Sequence, residues 1–174
     1  MRPGDADVGL LLEALAEAGV VHVVVGGVAA VLHGAPLPTR DLDIVPEPDP
    51  SNLDRLFALL ERLDAILREP GSRELRVRRS QLDGAGQVLL RTTLGPLDIL
   101  LRLHDGRGYA ELLGRTVELH ADGLRVRLMD LPALLELKAT TGRARDRLAV
   151  PILAALLEAK RAAGDDGKGD GGER

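Results

Sequence analysis

The sequence contains no cysteine, which excludes disulfide frameworks, thiolate zinc sites and cysteine nucleophiles. Aromatic residues are nearly as scarce: Phe57 and Tyr109 are the only ones, leaving almost nothing on which to stack bases and arguing against a single-strand binding platform. Of the 23 basic residues only Lys138, Lys160 and Lys168 are lysines, and Lys138 stands alone in the body of the chain. A net charge of −4 supplies no global basic field, so contact with a nucleic acid would fall mostly to arginines. No apolar run is long enough to span a bilayer. The longest, Val20 to Leu32, carries His22 and is broken by Gly26-Gly27. The residues before it include Asp5, Asp7, Glu13 and Glu17, where a secretion signal requires positive charge. A soluble, cytoplasmic protein with no membrane partner is expected.

The 174 residues, 45% hydrophobic and 29% charged, suit one core with at most a small appended portion. Val8, Leu11, Leu12 and Leu15 recur at helical spacing over Asp7 to Ala18, and Val20 to Val25 is a β-branched run of the buried-strand type. A short helix is expected from Val28 to His33 and a strand from Asp41 to Val45. Ser51 is read as the cap of a helix reaching about Leu63. Further strands are expected at Gln87 to Thr93 and Leu97 to Leu103, joined at Gly95-Pro96, and a hairpin at Thr116 to His120 and Leu124 to Leu128 across Ala121-Asp122-Gly123. The chain then reads as helical: Leu131 to Thr141 capped by Asp130, and Arg145 to Ala162 with a kink or break at Pro151. The glycine- and aspartate-rich stretch from Gly164 reads as a disordered tail.

Three elements carry chemistry. A strand running into Gly26-Gly27 and then a helix can aim backbone N–H groups at an anion, although such pairs also serve tight turns; the pattern is neither a P-loop nor a dinucleotide fingerprint. Asp41 and Asp43, two apart on a strand, project to one face. Either they form a solvent-facing edge or a divalent cation offsets their repulsion, and hard oxygen ligands suit Mg²⁺. Asp98 lies in the apolar strand Pro96-Leu97-Asp98-Ile99-Leu100, where a lone carboxylate is costly unless paired or metal-bound. If it shares a face with Asp41 and Asp43, three carboxylates converge as a two-metal site.

Taken in order, Val24-Val25-Gly26-Gly27-Val28-Ala29-Ala30, His33-Gly34, Thr39-Arg40-Asp41-Leu42-Asp43-Ile44 and the later Asp98 resemble the DNA polymerase β-like nucleotidyltransferase superfamily. Within it the likeness is greatest to small abortive-infection type nucleotidyltransferases, many of them toxins of toxin–antitoxin pairs. Leu137-Lys138-Ala139-Thr140-Thr141-Gly142-Arg143 and Asp146 resemble that group's helical lysine, arginine and aspartate motif. One departure is Leu37-Pro38, where such proteins often carry an arginine, so that Arg40 is the nearest basic group.

The resemblance implies a mixed α/β nucleotidyltransferase fold, a small mixed sheet flanked by helices with a C-terminal helical portion. Its parts would be a catalytic domain over 1–128, helices packed on it over 129–163 and a disordered tail over 164–174. It further implies transfer of a nucleoside monophosphate from an NTP, ATP among the candidates, to a hydroxyl. Gly26 and Gly27 would hold the β- and γ-phosphates. Asp41 and Asp43 would bind two Mg²⁺ ions, with Mn²⁺ as a substitute, and Asp98 would complete the second site. Lys138 would contact the triphosphate, or else be a solvated helix residue. Arg40 and Asp146 are nucleotide-binding candidates, Asp146 and Arg143 being alternatively a structural pair. Thr39 shares the face of Asp41 and is a candidate regulatory position, because phosphorylation would set a dianion against the metal site.

The acceptor implied is RNA, foremost a tRNA 3′ end, which the arginines from Arg73 to Arg79 could contact, and a cognate antitoxin protein is an expected partner; DNA is not. Two other readings stand beside this one: the same chemistry on an antibiotic or a protein, or an idle domain that acts by binding. His33 reads as a helix-end residue, and His104 and His120, with no partner at metal spacing, as surface residues.

Overall fold

The computed structural model describes residues 5–68, 74–121, 123–142 and 144–165. Asp7 accepts a hydrogen bond from the Leu10 amide and so caps helix α1 (Val8–Glu17), which buries Leu11, Leu12 and Leu15. Strand β1 (His22–Val25) runs without a connecting loop into helix α2 (Gly26–Leu32). Strand β2 (Leu42–Pro46) leads to helix α3 (Pro50–Arg62). The cap of α3 is Asp49 and not Ser51: the Asp49 carboxylate accepts from the Asn52 amide, while Ser51 sits inside the first turn and donates its hydroxyl to Asp49. Pro50 at the first helical position loses no bond there, which favours the earlier start.

Strand β3 (Ile66–Leu67), too short to leave a periodic signal, precedes the hairpin of β4 (Gln87–Thr92) and β5 (Gly95–Leu100). The hairpin turns at Thr93-Leu94, one step before the expected Gly95-Pro96. Thr92 fixes that turn, donating its hydroxyl to the Gly95 carbonyl and accepting from the Leu94 amide. Gly95 is required because φ is +104° and a Cβ would lie 2.6 Å from the Ala6 Cα. The chain leaves β5 at Leu100, short of Leu103, and a one-turn helix α4 (Tyr109–Leu112) intervenes before the hairpin of β6 (Thr116–Ala121) and β7 (Leu124–Met129).

Asp130 caps α5 (Leu131–Thr140) as its sequence position predicts, accepting from the Ala133 amide. Helix α6 (Ala144–Asp165) passes through Pro151 without a break and includes Gly164 and Asp165. Proline removes one backbone bond, but Leu153, two residues on, is fully buried against Ala30, Ala35 and Leu131, and that packing holds the second half in line. The rest of the expected tail, 166–174, lies outside the described residues. No described helix is long and apolar enough to cross a membrane.

The seven strands form one mixed sheet in the order β3-β4-β5-β2-β1-β7-β6. Strand β2 pairs antiparallel with β1 and parallel with β5. Leu42 is in register with Leu97, and Ile44 with Ile99; all four are fully buried in one core with Leu11, Leu15, Leu56 and Leu60 of α1 and α3. At ~1.5–3 kcal/mol for each such side chain taken from water, this face dominates the fold's stability. Because side chains alternate along a strand, the opposite face carries the intervening residues, Asp43 and Asp98.

Candidate active site

One row of the sheet, read across four strands, positions the chemistry. Val25 of β1 is in register with Asp43 of β2, Asp43 with Asp98 of β5, and Asp98 with Leu89 of β4. Partners in register share a face, with strands ~4.8 Å apart. Asp41, two residues before Asp43, falls on that face and borders the same cavity. The three carboxylates expected to converge therefore face one space. Burial first, then the charges of Asp41 and Asp98, push the Asp43 carboxyl up to about 7, against the opposing pull of Lys138 and a hydrogen bond from the Gly27 amide. Burial likewise raises Asp98, with the Arg68 guanidinium opposing it most strongly and Asp41 adding to the rise.

The glycine pair earns its place sterically. Gly26 has φ +66°, and a Cβ there would fall 2.0 Å from the Asp43 Oδ2; a Cβ on Gly27 would fall 2.6 Å from the Thr39 Oγ1. Bare backbone at this turn lets Asp43 and Thr39 close upon it. Thr39, half-buried, donates its hydroxyl to the Asp41 carbonyl at 3.2 Å. The cation of the site comes from α5: Lys138 Nζ lies 2.8 Å from Asp146 Oδ1, whose Oδ2 accepts the Thr141 hydroxyl at 2.7 Å. Both members of the pair are largely buried, with side chains 15% and 12% exposed, so Lys138 is held rather than solvated. Arg143 lies outside the described residues.

These groups border a cavity of about 950 Å³ whose lining also includes Leu37, Leu89, Leu100, His104 and Leu134 and, among the described residues, neither Phe57 nor Tyr109. Its size suits a nucleotide-sized ligand. Leu37 and Pro38 stand on its wall, so this stretch presents an apolar surface to the cavity. Arg40 does not border it; that side chain is 67% exposed and points to Asp5 at 4.0 Å.

Two residues escaped the sequence reading. His104 is exposed, as a surface residue should be, yet its Nε2 lies 2.9 Å from the Thr140 hydroxyl and it borders the cavity. Arg68 donates to Asp98. Neither pairing had a local signal, since 36 and 30 residues separate the partners. His33 is the helix-end residue expected, its Nε2 2.8 Å from the Met129 carbonyl, and His120 is exposed on β6. The arginine cluster is largely neutralised in place. Arg76 pairs with Asp64, and Arg79 with Asp54 and Asp83; Arg73 lies outside the described residues.

All-oxygen donors and mutually repelling, partly buried carboxylates suit a hard divalent cation, and in that chemical sense the site fits Mg²⁺ or Mn²⁺. Among the described residues, however, no three His, Asp or Glu side chains stand in a ready-made ligand arrangement. One oxygen of Asp98 is taken by Arg68.

No protein-family profile matches the chain, and no curated protein matches it in sequence. Solved structures do match in shape. The lincomycin-bound crystal structure of the lincosamide antibiotic adenylyltransferase LnuA superposes with TM-score 0.56 at 17% identity, covering 86% of this chain and 95% of that one. The solution structure of the antibiotic-resistance factor ANT(2'')-Ia gives 0.53 at 16%, covering 91% and 89%. An antigenic nucleotidyltransferase-like protein from Paracoccidioides brasiliensis gives 0.54 at 16%, covering 87% and 74%. With a mixed seven-stranded sheet, carboxylates in register on adjoining parallel strands and a glycine turn after β1, the chain has the nucleotidyltransferase fold.

Proposed function

We propose that this chain is a divalent-cation-dependent nucleotidyltransferase that moves a nucleoside monophosphate from an NTP to a hydroxyl. The acceptor oxygen forms a bond to the α-phosphorus, the bond to the β-phosphate bridge breaks, and pyrophosphate leaves. The observation that carries this reading is the row in which Asp43 and Asp98 stand in register, with Asp41 on the same face and Gly26-Gly27 and Lys138 bordering one cavity.

Asp41, Asp43 and Asp98 would hold two Mg²⁺ or Mn²⁺ ions, which when bound neutralise charge on the α-phosphate and leaving group. The chain's own groups do the rest. Lys138, fixed by Asp146 and Thr141, presents a point charge to the triphosphate. Gly26 and Gly27 keep side chains out of the phosphates' path. The Asp98 carboxylate would help take the proton of the attacking hydroxyl. Thr39, whose hydroxyl lies beside the Gly27 turn and the Asp41 backbone, is a position where phosphorylation would introduce a dianion among the carboxylates and block cation entry.

The acceptor we favour is a tRNA 3′ end, with the protein acting as a toxin held in check by an antitoxin; the resemblance of its ordered motifs to such toxins supports this. A small-molecule hydroxyl is the second reading, favoured by the shape match to LnuA and ANT(2'')-Ia. Incubation with each labelled NTP, Mg²⁺ and either total tRNA or a lincosamide and aminoglycoside panel separates them. Label on RNA, lost in Asp41→Ala, is the expected result. Label only on an antibiotic selects the second reading, and no transfer with any NTP overturns enzymatic activity in favour of an idle binding domain.

A further inference from the structure

The row of residues across the sheet extends one strand past Leu89, and its last member has a role that the transfer reaction does not yet use. The Arg68 amide donates to the Leu89 carbonyl at 2.8 Å, which sets Arg68 at the end of the β3 edge, level with Leu89. From there to Asp98 is two strand spacings, ~10 Å between backbones, a span within reach of an arginine. The side chain crosses Leu89, half-buried between them, and its Nη2 bonds Asp98 Oδ1.

This pair is lopsided. Asp98 is 8% exposed and Arg68 31%. Asp98 sits on a central strand pinned between β2 and β4, whereas Arg68 ends a two-residue edge strand. Among the described residues the guanidinium makes no other side-chain hydrogen bond, so of its five N–H donors one is engaged by a described side chain, and the residue lines the cavity. A buried pair is held best where further hydrogen bonds fix both partners; here no second described side chain holds the guanidinium in place.

We propose that Arg68 is a displaceable counter-ion of Asp98, a side chain that occupies the third carboxylate in the resting protein and must let go before that carboxylate can ligate a cation. Arg68 is thus a positioning residue that sets cation affinity and times the completion of the site. The inference rests on the cation-dependent reading above. It accounts for the coexistence of three carboxylates on one face with the lack of a ready-made ligand trio among the described residues. Arg102 lines the same cavity; released, the Arg68 guanidinium would stay near the β3 edge, separated from Gly26 after β1 by β4, β5 and β2 in the strand order, where an incoming phosphate-bearing acceptor would meet it.

The test is Mn²⁺ titration of the full chain without nucleotide, read from the electron paramagnetic resonance signal of free Mn²⁺, with folding of each variant checked by thermal melting. Arg68→Gln should bind Mn²⁺ about tenfold more tightly than the parent, equal to ~1.4 kcal/mol, and Asp41→Ala should abolish the binding in both backgrounds. Arg102→Gln removes a positive charge from the same cavity without freeing a carboxylate, and should change the affinity less than twofold. A parent that binds too weakly to measure beside an Arg68→Gln variant that saturates also supports the proposal. Equal or weaker binding by Arg68→Gln overturns it, as does an equal gain in Arg102→Gln, since affinity would then follow net charge alone. Saturable binding in neither parent nor Arg68→Gln overturns the cation reading itself, a separate failure.

Discussion

Replacing Gly26 by alanine is the sharpest probe of how the turn and the carboxylates depend on each other. Two costs are foreseen. The residue has φ +66°, and a side chain in that left-handed region costs ~1–2 kcal/mol. The new Cβ would also fall 2.0 Å from Asp43 Oδ2 and 2.8 Å from its Cγ, so the carboxylate must swing away and give up the Gly27 amide, a further ~1–2 kcal/mol for a bond to a charged group. The sum, ~2–4 kcal/mol, corresponds to a fall of roughly 5–15 °C in Tm for a chain of this size. The second cost belongs to Asp43 alone. In an Asp43→Ala background the nearest remaining atom is the residue-43 Cβ at 3.1 Å, a contact relieved by a small shift, and Gly26→Ala should then cost only the backbone share. A double-mutant cycle by urea denaturation in EDTA should therefore return a coupling of ~1–2 kcal/mol. Should the full penalty persist without Asp43, the turn is not built around that carboxylate, and the steric account of the glycine pair is wrong.

Further outcomes follow from single contacts. Gly27→Ala should lower Tm through the 2.6 Å approach to Thr39 Oγ1, and Thr39→Ala, which removes that atom, should recover most of the loss in a thermal melt. Asn52 is fully buried, its amide bonding the Val21 amide and the Val21 and Glu47 carbonyls; Asn52→Ala strands those groups and should cost ~3 kcal/mol or more, read as a shifted urea midpoint. Burial holds the His22 imidazole below its usual 6.5 despite the Val20 carbonyl 2.8 Å from Nδ1. The unfolded chain thus takes up this proton first, and the stability that neutral His22 confers is complete above pH 6.5 and lost as pH falls below it. Urea midpoints at pH 7.5 and 5.5 should diverge more in the parent than in His22→Gln; equal divergence would remove His22 as a source of acid sensitivity.

The parts of the site that could be read in advance are those whose signal is local. Alternation put Asp41 and Asp43 on one face, and an isolated aspartate in an apolar strand marked Asp98 as a residue in need of a partner. The Gly26-Gly27 pair and Lys138, alone among lysines in the body of the chain, stood out by composition. What stayed hidden depends on strand order, which the sequence does not spell out. Only when β5 lies between β2 and β4 does Asp98 meet Asp43 on one side and come within reach of Arg68 on the other. The place of His104 at the cavity stayed hidden because its bond to Thr140 crosses from the segment after β5 to the end of α5. The misplaced α3 cap has a different origin: Asp49 and Ser51 are both good capping residues, and Pro50, which cannot donate, decided for the earlier one. Pro151 ends no helix because the tertiary packing of Leu153 outweighs a local preference.

The placement of β1 bears on when the candidate site is completed during synthesis. That strand, whose end forms the glycine turn, leans on β2 about twenty residues ahead and on β7 a hundred residues further along. A growing polypeptide that has just left the ribosome with all three aspartates already made still lacks the far support of β1, and Lys138 and Asp146 emerge later still. Long-range pairing of this kind forms slowly and late. The glycine turn and the carboxylates that face it are thereby left without their full support until nearly the whole of the described fold has been delivered.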